Sequence, residues 1–174
     1  IVGQCIGANA LAAVGSAYTL MVFLISILLG LSMGSGTVFS LQYGAGDLSA
    51  LRRSIYVSLL LIGTVTILLN VAVFLWLDPI LRWLQVPYDI YPLMRNYLWI
   101  IFWGIVFTFL YNFYAALLRA VGDSVTPLWF LAVSVVLNIG LDLFLILVLD
   151  QGIEGAAVAT VIAQGTAAPG ILLY

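Results

Sequence analysis

The residue of this sequence with the most chemistry to offer is an acid inside an apolar run. Asp142 lies in LNIGLDLFLILVLD, and it is the titratable side chain that falls within a long stretch of uncharged residues. A carboxylate in hydrocarbon costs roughly 2.5–3.5 kcal/mol even on a lenient insertion scale, so acids kept there face polar cavities and mark proton or ion paths. Asn138 and Ser134 precede Asp142 at steps of four, which sets all three on one face of a helix. Thr160 and Gln164 repeat that spacing on the segment that follows. If the two segments form an antiparallel hairpin centred near Gln151, Asp142 is level with Thr160 and Asn138 with Gln164, about 10 Å below the nearer surface. Taken singly, Asn138, Thr160 and Gln164 also suit ordinary hydrogen bonding between helices. A carboxyl in such a setting can exchange its proton for a bound cation or substrate, which is the chemistry an antiporter requires.

Composition says what solvent surrounds these residues. Of 174 residues 65% are hydrophobic and 7% charged, with seven acids, five arginines and no histidine. Water-soluble domains carry about 25% charged residues, so most of this chain is solvated by lipid. Near-balanced charge without a basic stripe excludes nucleic acid as a partner. Cys5 has no second cysteine or histidine with which to bridge or share a metal, and packing is its expected role. No histidine, no paired acids within a span and no serine beside a base leave enzymatic catalysis unsupported. No cofactor is expected. The first residue is Ile1 with no signal-peptide pattern after it, and the chain reads as a piece of a longer one.

Charged residues divide the chain into about five membrane-spanning segments, roughly 14–43, 54–77, 96–118, 128–149 and 155–174. Each carries the twenty or so apolar residues that a crossing needs. The fold class is therefore all-α, a polytopic transmembrane helical bundle. AGDLSALRR and RAVGDSVTP read as short polar turns, and DQGIEG as a tight hairpin. DPILRWLQVPYDIYPLMR, with three prolines among Arg, Asp and Trp83, reads as an interfacial connector. Arg52, Arg53 and Arg119 fall on one side and Arg82 and Arg95 on the other, so the positive-inside rule sets the first group in the cytoplasm. GLSMGSG supplies packing glycines more readily than a ligand loop, and Gly155, Ala159 and Ala163 form a small-residue row for close helix contact. Pro169 is a tolerated kink near the end of the last span.

Read in order, IVGQCIGANALAAVG, GLSMGSG, QYGAGD, LRAVGDSVTPL, LNIGLDLFLI and GIEGAAVAT make this chain resemble the multidrug and toxic compound extrusion transporters. That resemblance implies twelve helices in two pseudo-symmetric lobes of six, with this chain covering helices two to six of the first lobe. It implies that Asp142, Asn138 and Thr160 belong to the cation-coupling site, with H⁺ or Na⁺ as the coupling ion and the three residues as the Na⁺ ligands. Asn112 of YNFYAALLR joins the same polar network by resemblance, although a count of residues from Arg95 sets it far deeper than Asp142. A further acid on a preceding first helix and a second lobe are the implied partners within the same protein. Small cationic molecules are the implied substrates, exported across the plasma membrane in which the protein is embedded among lipids.

Two other functions fit parts of the pattern. A lipid-linked oligosaccharide flippase shares the helix pattern but calls for several cations in its cavity, and no arginine lies within the expected spans. An intramembrane aspartyl protease needs two facing acids where one is visible.

Overall fold

A computed structural model describes residues 8–173, all helix and short turns. Cys5 lies outside the described residues. Helix α1 is Ala8–Gly44, α2 Leu48–Trp83, α3 Tyr91–Trp103, α4 Ile105–Ala120, α5 Val125–Leu143 and α6 Gly152–Leu173; α5 runs on into a π-helical turn, Phe144–Val148. Helices α1, α2, α5 with its extension, and α6 are each long and apolar enough to cross a membrane. The pair α3 and α4, bent by 44°, makes a fifth crossing when taken as one span. The chain is a multi-pass membrane protein.

Two helices outrun the expected spans. At about 1.5 Å per residue, the 37 residues of α1 and 36 of α2 extend on the order of 55 Å, against a hydrocarbon core of about 30 Å. The segment read as an interfacial connector is in part the last turns of α2, which continue through Asp78 and Pro79 to Trp83. Pro79 has no N–H to donate to Leu75, and its ring crowds that carbonyl. The helix therefore bends just before it, with Trp76 at φ −110° and ψ 15°. Arg95 holds the bent end, donating to Asp78 at 2.8 Å, and the Tyr91 hydroxyl donates to the same oxygen at 2.9 Å.

Large side chains such as Leu41, Leu68, Val136 and Leu173 cover the outside, as expected where lipid is the solvent. Inside, one apolar cluster joins the start of α1, the end of α2 and α3 around Leu81, Met94, Leu98 and Phe102. The other joins α1, α2 and α4 around Leu28, Phe39, Ile62 and Phe113. The small-residue row is buried as expected: Gly155, Ala159 and Ala163 let α6 sit against α3, α4 and α5. GLSMGSG contributes one packing glycine, Gly36, where an added Cβ would stand 3.4 Å from the Ala116 Cβ of α4.

The two turns that contain Gly-Asp are built alike. Gly46 and Gly122 take positive φ, a region open to glycine without steric cost, and the aspartate after each accepts from first-turn N–H groups of the next helix, Asp47 as its N-cap and Asp123 from the residue before the N-cap, Ser124. Asp47 accepts from the Ala50 N–H at 2.9 Å and the Ser49 hydroxyl at 2.7 Å; Asp123 accepts from the N–H groups of Val125 and Thr126. Those bonds, the Ala50 amide first, hold the Asp47 carboxyl below the usual carboxylate range. A lowered native value means that the unfolded chain takes up the proton first. The stabilisation is whole above the ordinary carboxylate range and fades as pH falls through the native value. The protection factor of the Ala50 and Leu51 amides, the exchange rate referred to the intrinsic rate at each pH, is thus expected to fall below about pH 4 in the wild type, and in Asp47→Ala to be low at every pH; wild-type protection that stays constant from neutral to acidic pH would show that Asp47 is not a cap.

Candidate functional site

The hairpin of α5 and α6 is the frame of the site. Asn138 Nδ2 donates to Thr160 Oγ1 at 3.3 Å, and Thr160 in turn donates to the Ala156 carbonyl at 2.9 Å. One turn earlier on α5, the Ser134 hydroxyl donates to the Ala163 carbonyl at 3.0 Å. The polar faces of the two helices therefore do meet, but one turn out of the register read from the sequence: Thr160 is level with Asn138, not with Asp142. The π-helical turn accounts for part of the shift, about one residue, and the loop, 149–151, is centred one residue earlier than Gln151. Leu149 N–H bonds back five residues to the Phe144 carbonyl, and a five-residue ring takes up more chain per turn than the four-residue bonds of α6. A residue counted from the loop along α5 consequently lies nearer the loop than its counterpart on α6.

Asp142 occupies the position one turn closer to that loop. Its Oδ1 is buried and receives no hydrogen bond from any described residue. A buried carboxylate oxygen is an acceptor with two lone pairs, and leaving it without a donor is unfavourable unless a proton or a cation meets it. Asn138 uses its amide N–H on Thr160, which leaves its carbonyl oxygen free to turn toward a ligand. Among the described residues no three of His, Cys, Asp and Glu cluster, so the available oxygens are one carboxylate, one amide and one hydroxyl.

Gln164 and Asn112 belong to a second polar group. Gln164 accepts from the Thr108 hydroxyl of α4 at 2.9 Å, and Asn112 donates to the Thr108 carbonyl at 2.7 Å. Neither bonds to Asp142, Asn138 or Thr160. Both line a cavity of about 540 Å³ between α1, α4, α5 and α6, with Tyr111, Ser134 and Arg119 also on its wall. The depth count that separated Asn112 from Asp142 agrees with this arrangement, and the membership of one network implied by resemblance does not appear as a direct contact. Ser134 links the two groups, since it bonds α6 and faces the cavity.

Two polar residues that take part escaped the reading of the sequence. Asn70 of α2 donates to the Phe102 carbonyl at 2.6 Å, next to the bend between α3 and α4, and Thr108 joins Gln164 across the same bend. A lone Asn inside an uncharged span is a signal that would have found Asn70, because a carboxamide in hydrocarbon has to bond something. Nothing in the local sequence says that its partner is a backbone carbonyl 32 residues away.

Comparison with known proteins gives the family and the fold. The family model described as MatE matches residues 1–144. The chain is 39% identical over 166 residues to the probable multidrug resistance protein YpnP of Bacillus subtilis, a match that covers 95% of this chain and 37% of that protein. It superposes on an outward-facing multidrug resistance MATE family transporter of the MOP superfamily with a TM-score of 0.92 at 24% identity, over 98% of this chain and 38% of the other. The Vibrio cholerae MATE transporter VcmN in its bent form gives 0.89 at 28% identity, over 99% and 39%. The chain thus spans little more than a third of the length of the proteins that it matches.

Proposed function

This chain belongs to the MatE family of transporters, and from that premise we propose that it forms part of an antiporter that exports organic cations in exchange for H⁺ or Na⁺ across the plasma membrane. The observation that carries this reading is the buried Oδ1 of Asp142, free of any described donor, one turn from the Asn138–Thr160 pair. A proton satisfies that oxygen by making it a hydroxyl. A sodium ion satisfies it by coordination, with the Asn138 carbonyl and the Thr160 hydroxyl as neutral oxygen donors, the hard-ligand set such a cation prefers. Either occupant changes the charge of the pocket by one unit. In a low-dielectric site that shifts the balance between two packings of the bundle, and a bound ion biases that balance only by its differential affinity for the two.

The rest of the protein, outside this chain, supplies the counterpart against which the helices move. The cavity lined by Tyr111, Asn112 and Gln164, with an apolar wall from Ile25, Leu29 and Leu131, suits the body of an amphipathic organic molecule. A flippase or a protease gains no support: the cavity has one cation at its wall, Arg119, and Asp142 is the one acid within the expected spans.

The test is transport by the complete protein in vesicles under an imposed Na⁺ gradient, an imposed pH gradient, or neither. Efflux of an organic cation is expected to follow one gradient and to stop without it. Efflux that ignores both gradients would remove the exchange mechanism.

A further inference from the structure

The bend between α3 and α4 falls at Gly104, and it is filled by a side chain from another helix. A Cβ built on Gly104 would lie 2.9 Å from Gln164 Oε1, 3.1 Å from the Ile101 carbonyl and 3.1 Å from Val161 Cγ2, so glycine is what admits α6 at this point. The same Gln164 oxygen accepts from Thr108, one turn past the bend. Just before the bend, Asn70 of α2 holds the Phe102 carbonyl. The break is therefore braced from both sides by carboxamides, one from α2 and one from α6. Interrupted helix at membrane depth is tolerated where side chains such as Asn70 take up backbone groups, and Gln164 braces the bend through the Thr108 hydroxyl instead.

We propose that the bend at Gly104 is a hinge whose setting is held by Gln164, and that Gln164 acts as a positioning residue linking the Asn138–Thr160 pair to the α3–α4 crossing. Gln164 sits one turn beyond Thr160 on the same helix, and a packed helix moves as a rigid element, so a shift of Thr160 on cation binding displaces the Gln164 oxygen from Gly104 and Thr108. The crossing then changes its angle at the one residue without a Cβ to resist. This inference rests on the reading that Asp142, Asn138 and Thr160 hold the coupling cation.

The experiment is a double-variant cycle in the complete protein, reconstituted in vesicles, with Gly104→Ala, Gln164→Ala and the two together. Three quantities are read: turnover, the substrate KM, and protection of Asp142 by Na⁺ or by raised pH against a carbodiimide, which modifies protonated buried carboxyls. Each single variant is expected to lower turnover about tenfold with the protection of Asp142 intact and, for Gly104→Ala, which is not on the wall of the substrate cavity, with KM changed by less than about twofold. The double variant is expected to be no slower than the slower single one, because removing the Gln164 oxygen removes the atom that the methyl group introduced by Gly104→Ala would strike. Turnover like wild type in either single variant overturns the hinge, as do losses that multiply to about a hundredfold in the double variant. A fall in turnover that tracks an equal fall in unfolding midpoint overturns it as well. A wild-type Asp142 that no cation protects overturns the reading of the coupling site instead, and the cycle distinguishes the two failures.

Discussion

Asp142→Asn in the complete protein is expected to abolish cation-driven export while leaving the protein inserted and folded. Asparagine has nearly the shape of aspartate but no charge to exchange, so the site loses the means by which one ligand affects another. A coupling free energy of about 1–3 kcal/mol corresponds to an effect of about 5- to 150-fold on affinity, and the variant should show none of it: substrate binding should cease to respond to Na⁺ or pH. Stability should be little changed, because asparagine keeps the shape and one polar oxygen of the side chain while removing a charge for which no described residue supplies a donor. The measurements are gradient-driven efflux and the unfolding midpoint of the purified protein. Gradient-driven efflux at the wild-type rate from a well-folded Asp142→Asn protein would end the coupling role of this carboxyl.

Phe113→Ala should do the reverse, damaging the fold rather than the coupling. Phe113 is fully buried in α4, edge-on to Phe39 of α1 at 5.9 Å and tilted against Phe109 at 5.9 Å. Truncating a buried Phe in a soluble protein costs about 3–5 kcal/mol, part transfer and part cavity. In a bilayer the transfer part shrinks because lipid tails are as apolar as the core, while the lost packing contacts remain, so about 2–3 kcal/mol is expected here. Denaturation of the detergent-solubilised protein measures it, with Tyr18→Ala, at an exposed position on α1, as the control. A Phe113 variant as stable as the Tyr18 variant would show that α1 and α4 are not joined through this ring.

The two predictions separate because packing and chemistry occupy different parts of the bundle. Phe113 belongs to the cluster beside the Gly46 and Gly122 turns, where Leu51 and Phe39 also lie, and Asp142 is near the opposite loop. A variant that lost both export and stability at Asp142 would argue that the two parts are mechanically one.

Much of this was legible in the residues alone. Hydrophobic runs bounded by Asp47, Asp78, Arg95, Arg119 and Asp150 mark the crossings, because no charged side chain is left in lipid without reason. Gly-Asp turns, the small-residue row of α6 and the polar faces at four-residue spacing are local patterns, and each takes the form that its local chemistry demands. The isolation of Asp142 is likewise a property of the order of residues.

What only the tertiary structure decided is which groups touch. The α5–α6 register, set in part by the π-helical turn at Phe144–Val148 and in part by the place of the loop, gave Asn138, not Asp142, to Thr160. The bend at Gly104, the reach of Asn70 to Phe102 and the pairing of Gln164 with Thr108 join residues from four helices. Helix formation depends on neighbours three and four residues away, whereas these contacts depend on how whole helices settle against one another. A displacement of one extra residue per turn is too small to see in a hydrophobic pattern and large enough to exchange the partner of every side chain on the face.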